Sequence, residues 1–74
     1  MFELYDVVSL VRDDEKHGVK KEYIGAIVDI LADGDAYTVE FVDEQGDTIE
    51  DALFTEYRDN DLRLIKSFRD IGVG

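Results

Sequence analysis

The side chains able to do chemistry are few in kind and lopsided in number. His17 is the only histidine, cysteine is absent, and the serines are Ser9 and Ser67. A general base needs an acid partner and a pocket. A hydroxyl nucleophile needs a base within reach. His17 sits between Lys16 and Gly18 in a charged stretch, Ser9 inside an apolar run, and Ser67 near the C-terminus. None of these spacings couples a nucleophile to a base. An exposed loop histidine is the plainer reading, so no catalytic residue is assigned and the chain is read as a non-enzyme.

Carboxylates are the abundant reactive group, with 19 Asp and Glu against 8 Lys and Arg. Some pair will fall at glycosidase spacing by chance. A working pair needs a cleft and one carboxyl with a raised pKa, for which a domain this small has little room. Asp33-Gly34-Asp35 and Asp43-Glu44-Gln45-Gly46-Asp47 gather oxygens in turns. Calcium takes about 6–8 oxygens, and the helix–loop–helix spacing that supplies them is missing. No thiolate metal site can exist without cysteine. Neither a metal site nor a cofactor is expected.

What remains is charge. The net charge is -11, and residues 29 to 61 hold 12 acids against the single base Arg58. Such a field repels phosphates and anionic membrane surfaces and attracts basic partners. The basic cluster Arg12, Lys16, Lys20 and Lys21 is interleaved with acids, and the tyrosines available for base stacking read first as core or rim. Direct nucleic-acid binding is therefore rejected. A compact acidic surface that imitates nucleic acid and occupies a basic site on another protein is the better idea. The residues assigned to such a contact are Glu40, Asp43, Glu44, Asp47, Glu50 and Asp51 for steering, with Tyr57 as an aromatic contact. This makes the chain a non-catalytic protein-binding module, in an antitoxin or immunity-like role against a basic partner. The alternative is an accessory subunit or assembly factor that docks on an enzyme, its acids serving only solubility.

These residues must be held by elements. Tyr37, Val39 and Phe41 alternate with Thr38, Glu40 and Val42, which predicts a strand with one buried face. Asp43 and Gly46 suit the first and last positions of a type I turn, with Gly46 left-handed, and Thr48-Ile49-Glu50 then starts a return strand. Tyr5 to Val11 reads as the first strand and Tyr23 to Ile30 as the second, with Ile24, Ala26, Val28 and Ile30 on one face. Gly25 inside that apolar run marks a bend, a bulge or a close backbone approach. Arg12 to Glu22 lacks periodicity and predicts a long loop pinned by Val19. Leu31 to Asp35 is a turn around Asp33-Gly34, and Asp6 is placed to anchor another. Thr55 to Asn60 reads as a loop or a short helical turn of at most one turn, with Thr55 as its candidate cap, and Asp61 to Ile65 as a short fifth strand.

The expected fold is mainly β, a small five-stranded SH3-like barrel with a short helical turn before the last strand. The barrel spans residues 1–66 and residues 67–74 form a C-terminal tail. The expected core is Val8, Leu10, Ile27, Val28, Val39, Phe41, Leu53 and Leu64. The tail carries Phe68, Ile71 and Val73 beside Lys66 and Arg69, so it is a candidate to fold back on the acidic body or to pair with a second copy as a homodimer. No run is long enough for a membrane helix, and the N-terminus carries acids where a signal peptide carries bases. A cytoplasmic protein that makes no membrane contact is expected.

The opening YDVVSLV, the glycine of YIGAIVDI, the hairpin AYTVEFVDEQGDTI and the closing DLRLI resemble a family of small uncharacterised bacterial proteins, a domain of unknown function. Its members carry an acidic Y-x-V-E-F-x-D-x-x-G hairpin, matched here by Tyr37 to Gly46. The resemblance implies an SH3-like fold. It also implies company: such proteins are encoded beside other short genes, in arrangements like toxin and antitoxin. EDALFTEYRDN, more acidic than the pattern, and the tail depart from it.

Overall fold

The turn after Phe41 forms as its residue types require. The Gly46 N–H donates to the Asp43 carbonyl at 2.9 Å, and Gly46 takes φ +84°. The Asp43 carboxylate accepts the N–H groups of Gln45 and Asp47 at 2.9 and 3.0 Å, so a side chain closes what the backbone begins. In the computed structural model, which describes residues 1–68, this turn joins the third strand to a short helix.

Four strands form one antiparallel sheet: β1 (Val7–Leu10), β2 (Gly25–Leu31), β3 (Ala36–Phe41) and β4 (Leu62–Lys66), in the order β3-β2-β1-β4. The sheet is open, with β3 and β4 at its edges, so the expected five-stranded closed barrel is replaced by a mainly β, four-stranded open sheet. The missing strand is the return arm of the hairpin. Thr48 makes one isolated bridge to Val42, the Ile49 N–H donates to the Phe41 carbonyl at 2.9 Å, and the chain then coils into α1 (Glu50–Leu53). Helix wins there because Ala52 buries its small side chain against the core while Glu50 and Asp51 sit favourably in the first turn. Two 3-10 turns accompany α1: Ala32–Gly34 between β2 and β3, where the sequence predicts a turn, and Asp59–Asp61 directly before β4. The start of the second is held by the Asp61 carboxylate, which accepts the Arg58 N–H at 2.9 Å. Thr55 does not cap it; the Thr55 N–H instead donates back to Ala52 at the end of α1.

Val8, Leu10, Val19, Ile27, Tyr37, Val39, Phe41, Ala52, Tyr57 and Leu62 make the core. Val19 is pinned as expected, by an isolated bridge to Asp14 across the first loop. Three expected core residues lie elsewhere: Val28 and Leu64 are exposed and Leu53 is half-buried. Val28 is the extra residue of a bulge, since Ile27 pairs with Val39 and Asp29 with Thr38. The expected face is not a core face: Ile24, Val28 and Ile30 are exposed and Ala26 is half-buried, although the bulge sets Ile30 opposite buried Tyr37. Leu64 belongs to an edge strand in which Leu62 alone is buried.

Asp6 ties the chain ends to the sheet. It is 5 % exposed, and its carboxylate accepts the N–H of Glu3 at 2.9 Å and of Phe68 at 3.0 Å. The Asp6 carbonyl accepts the Ile27 N–H while the Tyr5 N–H donates to the Ile27 carbonyl, which holds Tyr5 at φ +70° against its steric preference. The tail thus begins docked, with the Phe68 ring 5.5 Å from that of Tyr5. Ile71, Val73 and Arg69 lie outside the described residues.

Candidate functional site

The acids assigned to partner contact run along β3, the turn and the start of α1. Glu40, Glu44, Asp47, Glu50 and Asp51 are exposed and Asp43 is half-buried. Glu40 accepts a hydrogen bond from the Thr48 hydroxyl at 2.9 Å, and Glu44 from the Tyr23 hydroxyl at 3.0 Å. These contacts orient the carboxylates without neutralising them. Among the described residues the ion pairs are Met1 to Asp59 and His17 to Asp14, so none of the six is paired with a cation. Local folding explains the concentration: a turn closed by Asp43 projects Glu44 and Asp47 outward, and α1 follows at once with two more acids.

Tyr57 stands apart from this surface. It is 6 % exposed, its ring meets Phe41 edge-on at 5.4 Å, and its backbone bridges Tyr37 at the free edge of β3. Its hydroxyl donates to Asp14 at 2.6 Å. The same Asp14 oxygen accepts Nδ1–H of His17 at 2.7 Å, and the other oxygen accepts the His17 backbone N–H at 3.3 Å. Asp14 is thus a hub joining the first loop to the segment before β4, a role the sequence reading missed. Its signal was present in Asp14 to Gly18, an aspartate turn with a left-handed glycine at φ +73°. The Asp–His contact has the form of a catalytic dyad, but the third member is a buried phenol on the same oxygen rather than a nucleophile on the far side of the imidazole. The arrangement clamps a loop.

The clamp has a pH signature. Burial pushes the Tyr57 hydroxyl well above its ordinary 10.0, and the Asp14 carboxylate adds to the shift. Burial of Asp14 works against its ionisation, but the hydrogen bonds from Tyr57 and His17 and the imidazole charge outweigh it, leaving Asp14 below its ordinary 3.8. A tyrosine raised on folding holds its proton in the native state after the unfolded chain has lost it. Its stabilisation is complete below pH 10 and fades as pH rises above that value. Stability measured by urea titration is therefore expected to fall above pH 10, with a shallower fall in Tyr57→Phe. Some slope persists in that variant because Tyr37 is raised too, by burial foremost, against the opposing Phe2 N–H and with the help of Asp59. At neutral pH Tyr57→Phe should cost about 1.5–3 kcal/mol, a hydrogen bond to a charged group. Equal alkaline slopes in the two proteins would remove Tyr57 from this account.

Among the described residues no group of three or more His, Cys, Asp or Glu is arranged to hold a metal ion, and no helix is long and apolar enough to cross a membrane. A model of a domain of unknown function, DUF4926, matches residues 4–56. That is most of the chain, and the protein belongs to this family. No curated protein and no solved structure matches the chain.

Proposed function

We propose that this member of the DUF4926 family is a non-catalytic protein-binding module that engages a basic protein through the acids of β3, the turn and α1. The observation that supports this is the row Glu40, Asp43, Glu44, Asp47, Glu50 and Asp51, exposed but for half-buried Asp43 and carrying no ion pair among the described residues. An uncompensated charge row steers a complementary partner and repels wrong ones. An antitoxin or immunity-like role, in a bacterial cytoplasm, is the finer form of this reading. The SH3-like relationship belongs with it, favoured by the Tyr37–Tyr57 bridge that brings the segment before β4 to the far edge of the sheet.

A cell lysate passed over the immobilised full chain tests the reading. The expected result is a retained protein rich in Lys and Arg, released by salt and lost when Glu44, Asp47, Glu50 and Asp51 are changed together to their amides. Retention of the same protein by that variant would favour the accessory-subunit reading, in which the acids serve solubility.

The same row predicts a salt effect on the isolated protein. Exposed like charges repel, and the Debye length shortens to ~10 Å at 0.1 M salt. Melting temperature should rise between low salt and that concentration. A flat curve would show the acids to be too far apart to feel one another.

A further inference from the structure

We propose that the groove on the outer face of the sheet is the affinity-giving part of the partner surface, and that it takes an apolar side chain from a segment that also carries Lys or Arg. The inference rests on the reading just given and adds what the acids alone lack, a desolvated anchor. The groove encloses about 270 Å³ and is lined by Val7, Ile24, Gly25, Ala26, Glu40 and Val42. Five of these six are apolar or glycine, and Ile24 is 48 % exposed. Alternation puts these side chains outside: Val8 and Ile27 fill the core, so Val7 and Ala26, paired across β1 and β2, face away from it.

The rim specifies the occupant. Glu40 forms part of the wall, and its carboxylate is oriented by Thr48. Asp43 follows Val42 directly, and Glu44 is held by the Tyr23 hydroxyl beside Ile24. The charge is therefore negative along the β3 and turn side. Lys66 lies opposite Val7 at the other side. A segment that seats an aliphatic or aromatic group in the groove and extends a Lys or Arg towards Glu40 and Glu44 satisfies both features. A second copy does not, because face-to-face pairing would oppose these carboxylates on two chains of net charge -11 each. Anionic lipid is excluded by the same sign.

The test uses the full chain, labelled for amide NMR, and a short peptide of Lys and Leu around one Phe. The control peptide has every apolar residue replaced by Gly. The expected result is shifts at Ile24, Ala26 and Val42, with the control binding about tenfold more weakly. Ile24→Ser and Glu40→Gln should each weaken the apolar peptide about tenfold. Both sites are exposed, and glutamine keeps an acceptor for Thr48, so a dispersed spectrum should confirm folding of each variant. Equal binding of both peptides, with shifts confined to residues 43–47, would overturn the groove and leave the acidic reading standing. Shifts centred on Phe54 or Ile65 would do the same. Binding by neither peptide would overturn both. Concentration-dependent shifts at the groove without peptide, with a dimeric mass by light scattering, would assign it to a second copy and overturn the proposal. Binding only after removal of residues 69–74 would assign it to the chain's own end and overturn it equally.

Discussion

Phe41→Ala is expected to leave the protein unfolded or barely folded in water, with the urea midpoint near zero denaturant. The side chain is fully buried at the end of β3. Removing a buried phenyl ring costs about 3–5 kcal/mol through lost transfer energy and a residual cavity. Two local features push towards the upper end. The ring meets Tyr57 edge-on at 5.4 Å, an arrangement worth about 0.5–1.5 kcal/mol beyond area. Tyr57 in turn holds Asp14, so a loosened ring strains the clamp on the first loop. Native stabilities are about 5–15 kcal/mol, and a small domain sits low in that range. Phe41→Leu keeps most of the volume and should fold with a reduced midpoint. A cooperative transition for Phe41→Ala near the wild-type midpoint would place the core elsewhere.

Period-2 patterning made that part of the core legible. Tyr37, Val39 and Phe41 alternate with polar neighbours, and Thr38 and Glu40 indeed face out. The Asp43–Gly46 turn was legible for a chemical reason: few residues other than glycine accept φ +84°, and aspartate closes its own turn. The return strand was not legible. Thr48-Ile49-Glu50 has strand-like beginnings, but the packing of α1 on the core through Ala52 is a tertiary gain invisible in a local window. Val28 was misplaced because it directly follows buried Ile27 and is itself the extra, unpaired residue of a bulge, which no local window shows. Of the candidate site, the six carboxylates could be read from charge alone. Tyr57 could not be told from a surface aromatic, since its burial depends on Phe41 and Asp14, both distant in sequence. The groove was illegible for the same reason, being assembled from β1, β2 and the end of β3.

Gly25→Ala is expected to cost as much as many large core truncations, although it adds a single methyl group. A Cβ at this position would lie 2.8 Å from the Glu40 carbonyl oxygen, 2.8 Å from Cδ1 of Phe41 and 2.8 Å from Cγ1 of Val39. Two of these neighbours are buried side chains and the third is backbone, so none gives way cheaply. Overpacking a tight interior costs about 1–3 kcal/mol, and a threefold contact belongs at the top of that range. Gly25 pairs with Val8 on one side and Phe41 on the other, so moving β2 to make room disturbs both ladders. Gly25→Val should not fold. The double variant Gly25→Ala with Phe41→Leu separates the sources of strain. Removing the ring edge relieves one of the three contacts, so the double variant should be more stable than the sum of the single costs predicts. Strict additivity would instead assign the strain to the Glu40 carbonyl and Val39. A Gly25→Ala protein as stable as wild type would mean that β2 and β3 approach less closely than 2.8 Å implies, and the outer groove, which shares Gly25 as a lining residue, would change shape with them.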